Sequence, residues 1–157
     1  MACKEAHSPR TILVPANYEG TVRIVYAEKC GMTPMKENGR EIVRIPGNGL
    51  VILSTENDVR INNDFFLVDD KGNQTKVDQV ADIKDRVSGS PAILAGGTVV
   101  TGLSSHKDAD GTVTATGIEC TDFYLYNKGT TEIKQSPFQP QLDSLTNSEV
   151  NACRAGK

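Results

Sequence analysis

Two stretches near the N-terminus repeat one pattern of apolar run, proline, turn and strand, and this limits what the chain can fold into. In the first, Ile12-Leu13-Val14-Pro15 leads through a polar turn ending at Gly20 into Thr21-Val22-Arg23-Ile24-Val25-Tyr26. In the second, Ile42-Val43-Arg44-Ile45-Pro46 leads through Gly47-Asn48-Gly49 into Leu50-Val51-Ile52-Leu53. Short runs of β-branched and aliphatic residues bounded by Pro, Gly and Asn read as strands rather than helices. Proline removes the N–H that a ladder needs, and Gly and Asn accept the positive φ of a tight turn. In the first unit Val22, Ile24 and Tyr26 point one way and Thr21, Arg23 and Val25 the other, so one face is apolar throughout. The second unit reads as a hairpin closed by Pro46-Gly47-Asn48-Gly49.

Further along, Phe65 to Val68 is strand-like, and Asp69-Asp70-Lys71-Gly72-Asn73 is a hairpin turn returning through Gln74 to Val77. Val77, Val80, Ala81 and Val87 suit a short helix stopped by Ser88-Gly89. Gly96-Gly97 reads as a turn before a strand from Thr98 to Leu103, Ser104 to Gly111 as a polar turn, and Thr112 to Ile118 and Thr121 to Tyr126 as two more strands. Pro137 and Pro140 cannot extend a sheet. Thr146-Asn147-Ser148-Glu149 has the form of a capping box, opening a terminal helix that places Val150 and Cys153 on one face and stops at Gly156. The expected fold is therefore all-β: an antiparallel β-sandwich of about seven to nine strands with a short C-terminal helix. Residues 1–10 read as a flexible tether, 11–135 as the sandwich and 136–157 as a C-terminal extension; 157 residues suffice for one domain.

Composition removes some functions. Seventeen basic and 20 acidic residues give a net charge of −3, with no basic stripe to displace counterions, so nucleic acid is not an expected partner. No apolar run reaches the roughly 18 residues of a spanning helix. The four cysteines, Cys3, Cys30, Cys120 and Cys153, form no Cys-x-x-Cys motif, and no metal or other cofactor is expected. The opening Met1-Ala2-Cys3 places a small residue before a cysteine, as at the cleavage site of a bacterial lipoprotein, whose thiol then carries diacylglycerol. A cytoplasmic protein that begins this way fits the dipeptide as well. If Cys3 is lipidated, any of the three pairings among the other cysteines is open, as is burial of all of them as small hydrophobes.

Candidate chemistry is sparse. His7 lies in the tether. His106, in Ser104-Ser105-His106-Lys107-Asp108, sits too close in sequence to its serine and aspartate for a triad, whose members come from separate elements. Asp108-Ala109-Asp110-Gly111 begins like a calcium loop but lacks the third oxygen ligand and the terminal glutamate, so it reads first as a turn. Asn57, Asp58, Asn62, Asn63 and Asp64 crowd one loop, where their oxygens could meet a sugar or a hard cation; such residues also gather in loops to bond their own backbone. No catalytic residue is assigned. The candidate ligand-binding set is Asn57, Asp58, Asn62, Asn63, Asp64, His106, Asp108 and Asp110.

The string Leu13-Val14-Pro15-Ala16-Asn17-Tyr18-Glu19-Gly20, with Val22 to Tyr26, Cys30-Gly31, Ile45-Pro46-Gly47-Asn48-Gly49-Leu50 and Phe65-Phe66-Leu67-Val68-Asp69, resembles a bacterial domain family of unknown function found in small secreted proteins and lipoproteins. The resemblance spans the first half of the chain, through the turn at Asp70-Lys71-Gly72-Asn73. It implies an extracytoplasmic location in the bacterial cell envelope, periplasm or outer membrane, with Cys3 as the lipid anchor, and it brings no catalytic residue. The expected role is a non-catalytic binding or structural accessory module that meets a protein or glycan partner and touches the membrane only through its lipid. The alternative is a secreted hydrolase using His106 with a distant carboxylate.

Overall fold

The structure is a computed structural model that describes residues 8–58, 62–127 and 140–156. It holds nine strands, β1 Arg10–Pro15, β2 Gly20–Val25, β3 Met35–Glu37, β4 Arg40–Arg44, β5 Leu50–Ile52, β6 Asn63–Val68, β7 Gln74–Val80, β8 Ala92–Lys107 and β9 Val113–Tyr126, and one helix, α1 Pro140–Arg154. The strands form one sheet in the order β3-β4-β1-β6-β7-β8-β9-β2-β5. The fold is all-β and sandwich-like, with the helix at the C-terminal end.

The two copies of the repeat lie side by side. β1 runs parallel to β4, with Ile12 opposite Val43, and β2 runs parallel to β5, with Ile24 opposite Val51. The register offset is 31 residues before the prolines (43 − 12) and 27 after them (51 − 24), so the first turn is four residues longer than the second. The expected hairpin at 46–49 does not form, because β4 and β5 lie near opposite ends of the strand order. At each proline the chain instead leaves one half of the sheet and crosses to the other. A link as short as residues 16–19 spans only about 15 Å, which forces the sheet to curl until β1 and β2 face each other. The sheet is mixed rather than antiparallel: the side-by-side copies give the parallel pairs β1/β4 and β2/β5, and β1/β6 and β7/β8 are parallel as well.

Curling closes the main core, where Ile12, Val22, Ile24, Val43, Ile93 and Leu125 are fully buried. Phe65 and Phe123 meet edge to face at 4.9 Å. Gly49 sits at the second corner with φ +80°, and a Cβ there would press on the Tyr18 hydroxyl and lie 2.8 Å from the Thr21 carbonyl. That hydroxyl donates to the same carbonyl within the first turn, and the Arg23 N–H donates to the Gly49 carbonyl at 2.8 Å to join the two units. Gly49→Ala is expected to lower unfolding free energy by about 1–3 kcal/mol through strain and steric clash together, read from urea midpoints at unchanged slope.

Three local expectations change. The stretch expected to be helical, Val77 to Val87, is claimed by β7, whose Val77 pairs with Phe65 and is buried; only Ile83–Asp85 turns, as a 3-10 helix with Asp82 accepting from the Lys84 N–H. Pairing with a neighbouring strand outweighs a weak helical pattern. Gly96-Gly97 is a bulge, not a reversal: the register passes from Ala95 opposite Phe123 to Gly97 opposite Asp122, and a Cβ at Gly96 would come within 3.1 Å of the Asp122 carbonyl. The segments expected to be separate strands on either side of Glu119 are one strand, β9.

α1 covers the outer face of β2, β5 and β9, where Val150 packs with Val25, Leu50, Ile118 and Cys120 in a second cluster. It begins at Pro140, six residues before the expected cap, because proline at a first helical position forfeits no bond. Thr146 is therefore mid-helix: its hydroxyl donates to the Leu142 carbonyl at 2.6 Å and accepts from Arg23 Nη1 at 3.2 Å. Cys30 and Cys153 form a disulfide that fastens the helix to the loop after β2, one of the three open pairings. Cys120 is free and buried, and burial pushes its thiol up to about 11. Gly156, at φ +73°, ends the helix as expected.

Candidate functional site

β8 and β9 run far beyond the body of the sheet. β7 accompanies β8 only from Ala92 to Leu94, and β2 accompanies β9 only from Cys120 to Leu125. Past Gly97 and Cys120 the two strands continue as a hairpin arm to the turn at Asp108–Gly111, roughly 30 Å of extended chain. One face of the arm looks toward the helix, where the Asn147 Oδ1 lies beside Gly102. The other continues the inner face of the main core outward. Leu125 and Phe123 are core residues, Thr121 and Glu119 receive the Asn57 side-chain amide at 3.5 and 3.0 Å, and Gly117 lies between Val100 and Leu103. Val100, Leu103 and Val113 are 53%, 72% and 63% exposed.

Where the arm leaves the body, a cavity of about 170 Å³ opens between Arg10, Tyr26, Asn57, Asp58, Asn63 and Thr98, with Thr121 and Phe123 behind. Its cation is committed: Arg10 Nε bonds Glu41 at 2.9 Å, Nη2 reaches the Glu56 carbonyl at 3.0 Å, and the guanidinium stacks 5.3 Å over Tyr26. Burial raises the Tyr26 phenol, the Thr121 hydrogen bond and Arg10 opposing it, so the ring stays neutral at physiological pH. Asn63 Oδ1 is buried without a hydrogen-bond partner among the described residues.

The sequence candidates divide between the two ends of this arm. Asn57, Asp58 and Asn63 line the cavity at its root. Asn62 is exposed beside them, and its backbone carbonyl accepts the Arg10 N–H at 3.3 Å. Asp64 is drawn aside into ion pairs with Arg40 at 2.8 Å and Lys76 at 3.3 Å. At the tip, the His106 side chain is 81% exposed and lies 3.3 Å from Asp108. Asp110 accepts the Thr112 N–H at 2.9 Å, and hydrogen bonding by Thr112 holds its carboxyl below the usual value. Both tip aspartates thus serve their own turn. Cys3 and His7 lie outside the described residues. The arm itself escaped the sequence reading, which cut it at Gly96-Gly97 and at Cys120. A usable signal was the absence of any charged residue from Ala92 to Ser105 and from Gly111 to Ile118.

Residues 6–122 match the family of unknown function DUF6843. The chain belongs to that family. The DUF6843 match takes in both copies of the repeat, the root cavity apart from Phe123, all of β8 and most of β9, and so reaches well beyond the stretch that carried the resemblance in the sequence. No curated protein matches the chain. Among solved structures, the chain is similar to the 2.75 Å crystal structure of a "Putative Lipoprotein from Bacillus anthracis", with a TM-score of 0.52 over 92% of this chain and 93% of that one. At 14% identity this likeness speaks to the shared fold. No helix among the described residues is long and apolar enough to cross a membrane.

Proposed function

We propose that this DUF6843 chain is a non-catalytic accessory module of the bacterial cell envelope, held outside the cytoplasm by lipid on Cys3 and working through its projecting arm. The observation that carries the reading is the arm: a long two-stranded hairpin, uncharged along most of its length, leaves Val99, Val100, Leu103 and Val113 exposed. Exposed apolar surface of this kind marks interaction sites on otherwise polar proteins. The body beneath it, closed by a curled sheet and a disulfide, is built to hold the arm rigidly in an oxidising compartment. Six residues, Lys4 to Pro9, separate Cys3 from β1 and are the length available for a tether between anchor and domain. The fold shared with a protein designated a lipoprotein supports the same placement. A hydrolytic role for His106 has less behind it, because among the described residues its acidic neighbour is Asp108, on an exposed turn, and the ring itself is 81% exposed.

Expression from the gene with its own upstream sequence, followed by mass analysis of the N-terminal peptide, tests the anchor. The expected product begins at Cys3 carrying diacylglycerol and partitions into detergent, and Cys3→Ser moves the protein to the aqueous phase. A free Cys3 thiol on material taken from native cells would refute the reading.

A further inference from the structure

We infer that two copies of this chain pair through the outer edge of β9, antiparallel about a two-fold axis, to make a four-stranded arm. Beyond Glu119 that edge has no neighbouring strand among the described residues. Its last backbone bond is from the Tyr26 N–H to the Glu119 carbonyl, after which Ala27, at φ +58°, turns the chain away to Thr55. That bond also fixes which groups look outward. Alternation along β9 presents the N–H and C=O of residues 113, 115 and 117 to the open edge, and both register irregularities of the hairpin place their extra residues on β8, leaving β9 regular.

A dyad normal to the sheet through residue 115 sets 113 opposite 117 of the second copy, 115 opposite itself and 117 opposite 113, closing about six main-chain hydrogen bonds. This register is also the one that fits the side chains. Val113 of one copy arrives beside Gly117 of the other, over which Val100 and Leu103 lean so closely that a Cβ there would lie 2.6 and 3.0 Å from them, and so it meets their apolar side chains. The three most exposed apolar residues of the arm are then covered in one step, twice over. No charge lies between Gly111 and Ile118, so the dyad opposes no like charges. The turn of the second copy comes to rest at a pocket of about 470 Å³ beside Gly117, whose Lys29 and Arg154 balance Glu28 and Glu119 and do not repel Asp108 or Asp110. The β8 edge is blunted by its two irregularities, and a two-fold contact consumes the edge it uses, so growth stops at two copies.

The contact is small, so association in solution is weak. Anchoring to one surface, which rests on the reading under Proposed function, raises the effective concentration of one copy near another. The test uses the soluble full chain carrying Cys3→Ser, so it holds whether or not Cys3 is lipidated in cells. Sedimentation is expected to show a monomer–dimer equilibrium that Val113→Lys, an exposed change, weakens at least about tenfold without altering the melt. Ala115→Cys is expected to form an intermolecular disulfide rapidly. Thr116→Cys, whose own copy lies beyond the roughly 7 Å reach of such a bond in this register, is not. A monomer at about 1 mM without the residue-115 cross-link, equal cross-linking at 115 and 116, or growth into open polymers would each overturn the inference.

Discussion

Replacing Cys30 and Cys153 together with alanine is expected to lower the melting temperature by about 10–20 °C. The disulfide joins residues 123 apart, and the chain-entropy account gives about 5 kcal/mol for a closed loop of that size. For a domain of this length one kcal/mol corresponds to about 2–4 °C. The bond lies near the C-terminal end of α1, whose other holds include Val150 and Leu145 in the second cluster, the Arg154–Glu28 ion pair and the bonds to Arg23. Release of the bond should therefore loosen the helix first. Amide exchange across Leu142–Arg154 is expected to quicken more than exchange in β1 or β6, which pair with each other deep in the main core. An alanine pair that melts with the parent would show that the bond restrains nothing the fold does not already restrain.

The second large effect is expected at Arg23. Its guanidinium is buried between sheet and helix, with Nε and Nη2 on the two Asp122 oxygens at 2.7 and 2.8 Å and Nη1 on Asp143 at 2.6 Å. Burial works against its charge, but the hydrogen bonds to Asp122 and Asp143 prevail and lift it above the ordinary arginine value. Arg23→Ala strands the Asp122 carboxylate, whose side chain is 10% exposed, without its cation. The expected loss is about 3–5 kcal/mol, with Asp143, at the helix start and more open to water, contributing less. Arg23→Met combined with Asp122→Leu should recover most of it, because replacing a buried pair by apolar groups removes both desolvation costs. If the single alanine change costs under 1 kcal/mol by urea unfolding, the cluster is not a buried electrostatic clamp.

Arg23 also shows where sequence reading stops. Alternation in β2 correctly opposed Val22, Ile24 and Tyr26 to Thr21, Arg23 and Val25, and the first face is the core. The second face was left outside the apolar set, yet its Arg23 is 3% exposed. What covers it is α1, more than a hundred residues away, and no local pattern announces a partner at that separation. The candidate site was legible in the same partial way. The crowded Asn and Asp residues pointed to the cavity at the root of the arm, and the Ser104–Gly111 turn to its tip. That both belong to one hairpin was hidden, because a glycine pair looks the same in sequence whether it reverses a strand or bulges it. The Gly96 backbone approaches Asp122 closely, and only the neighbouring strand shows this.

By itself the sequence determined the local vocabulary of this protein: two copies of a strand–proline–turn–strand unit, the strand and turn from Phe65 to Asn73, a terminal helix with Val150 and Cys153 on one face, and family membership written in turn and strand residues. Periodicity, proline and glycine act over a few residues, and so these features are readable one segment at a time. Tertiary structure alone decided that the repeats pair with each other in parallel, that Cys30 takes Cys153, that Arg23 is buried and that β8 and β9 outrun the sheet. Each of those outcomes depends on which distant surface arrives to bury apolar area or complete a hydrogen bond, and that competition is settled only when the whole chain closes.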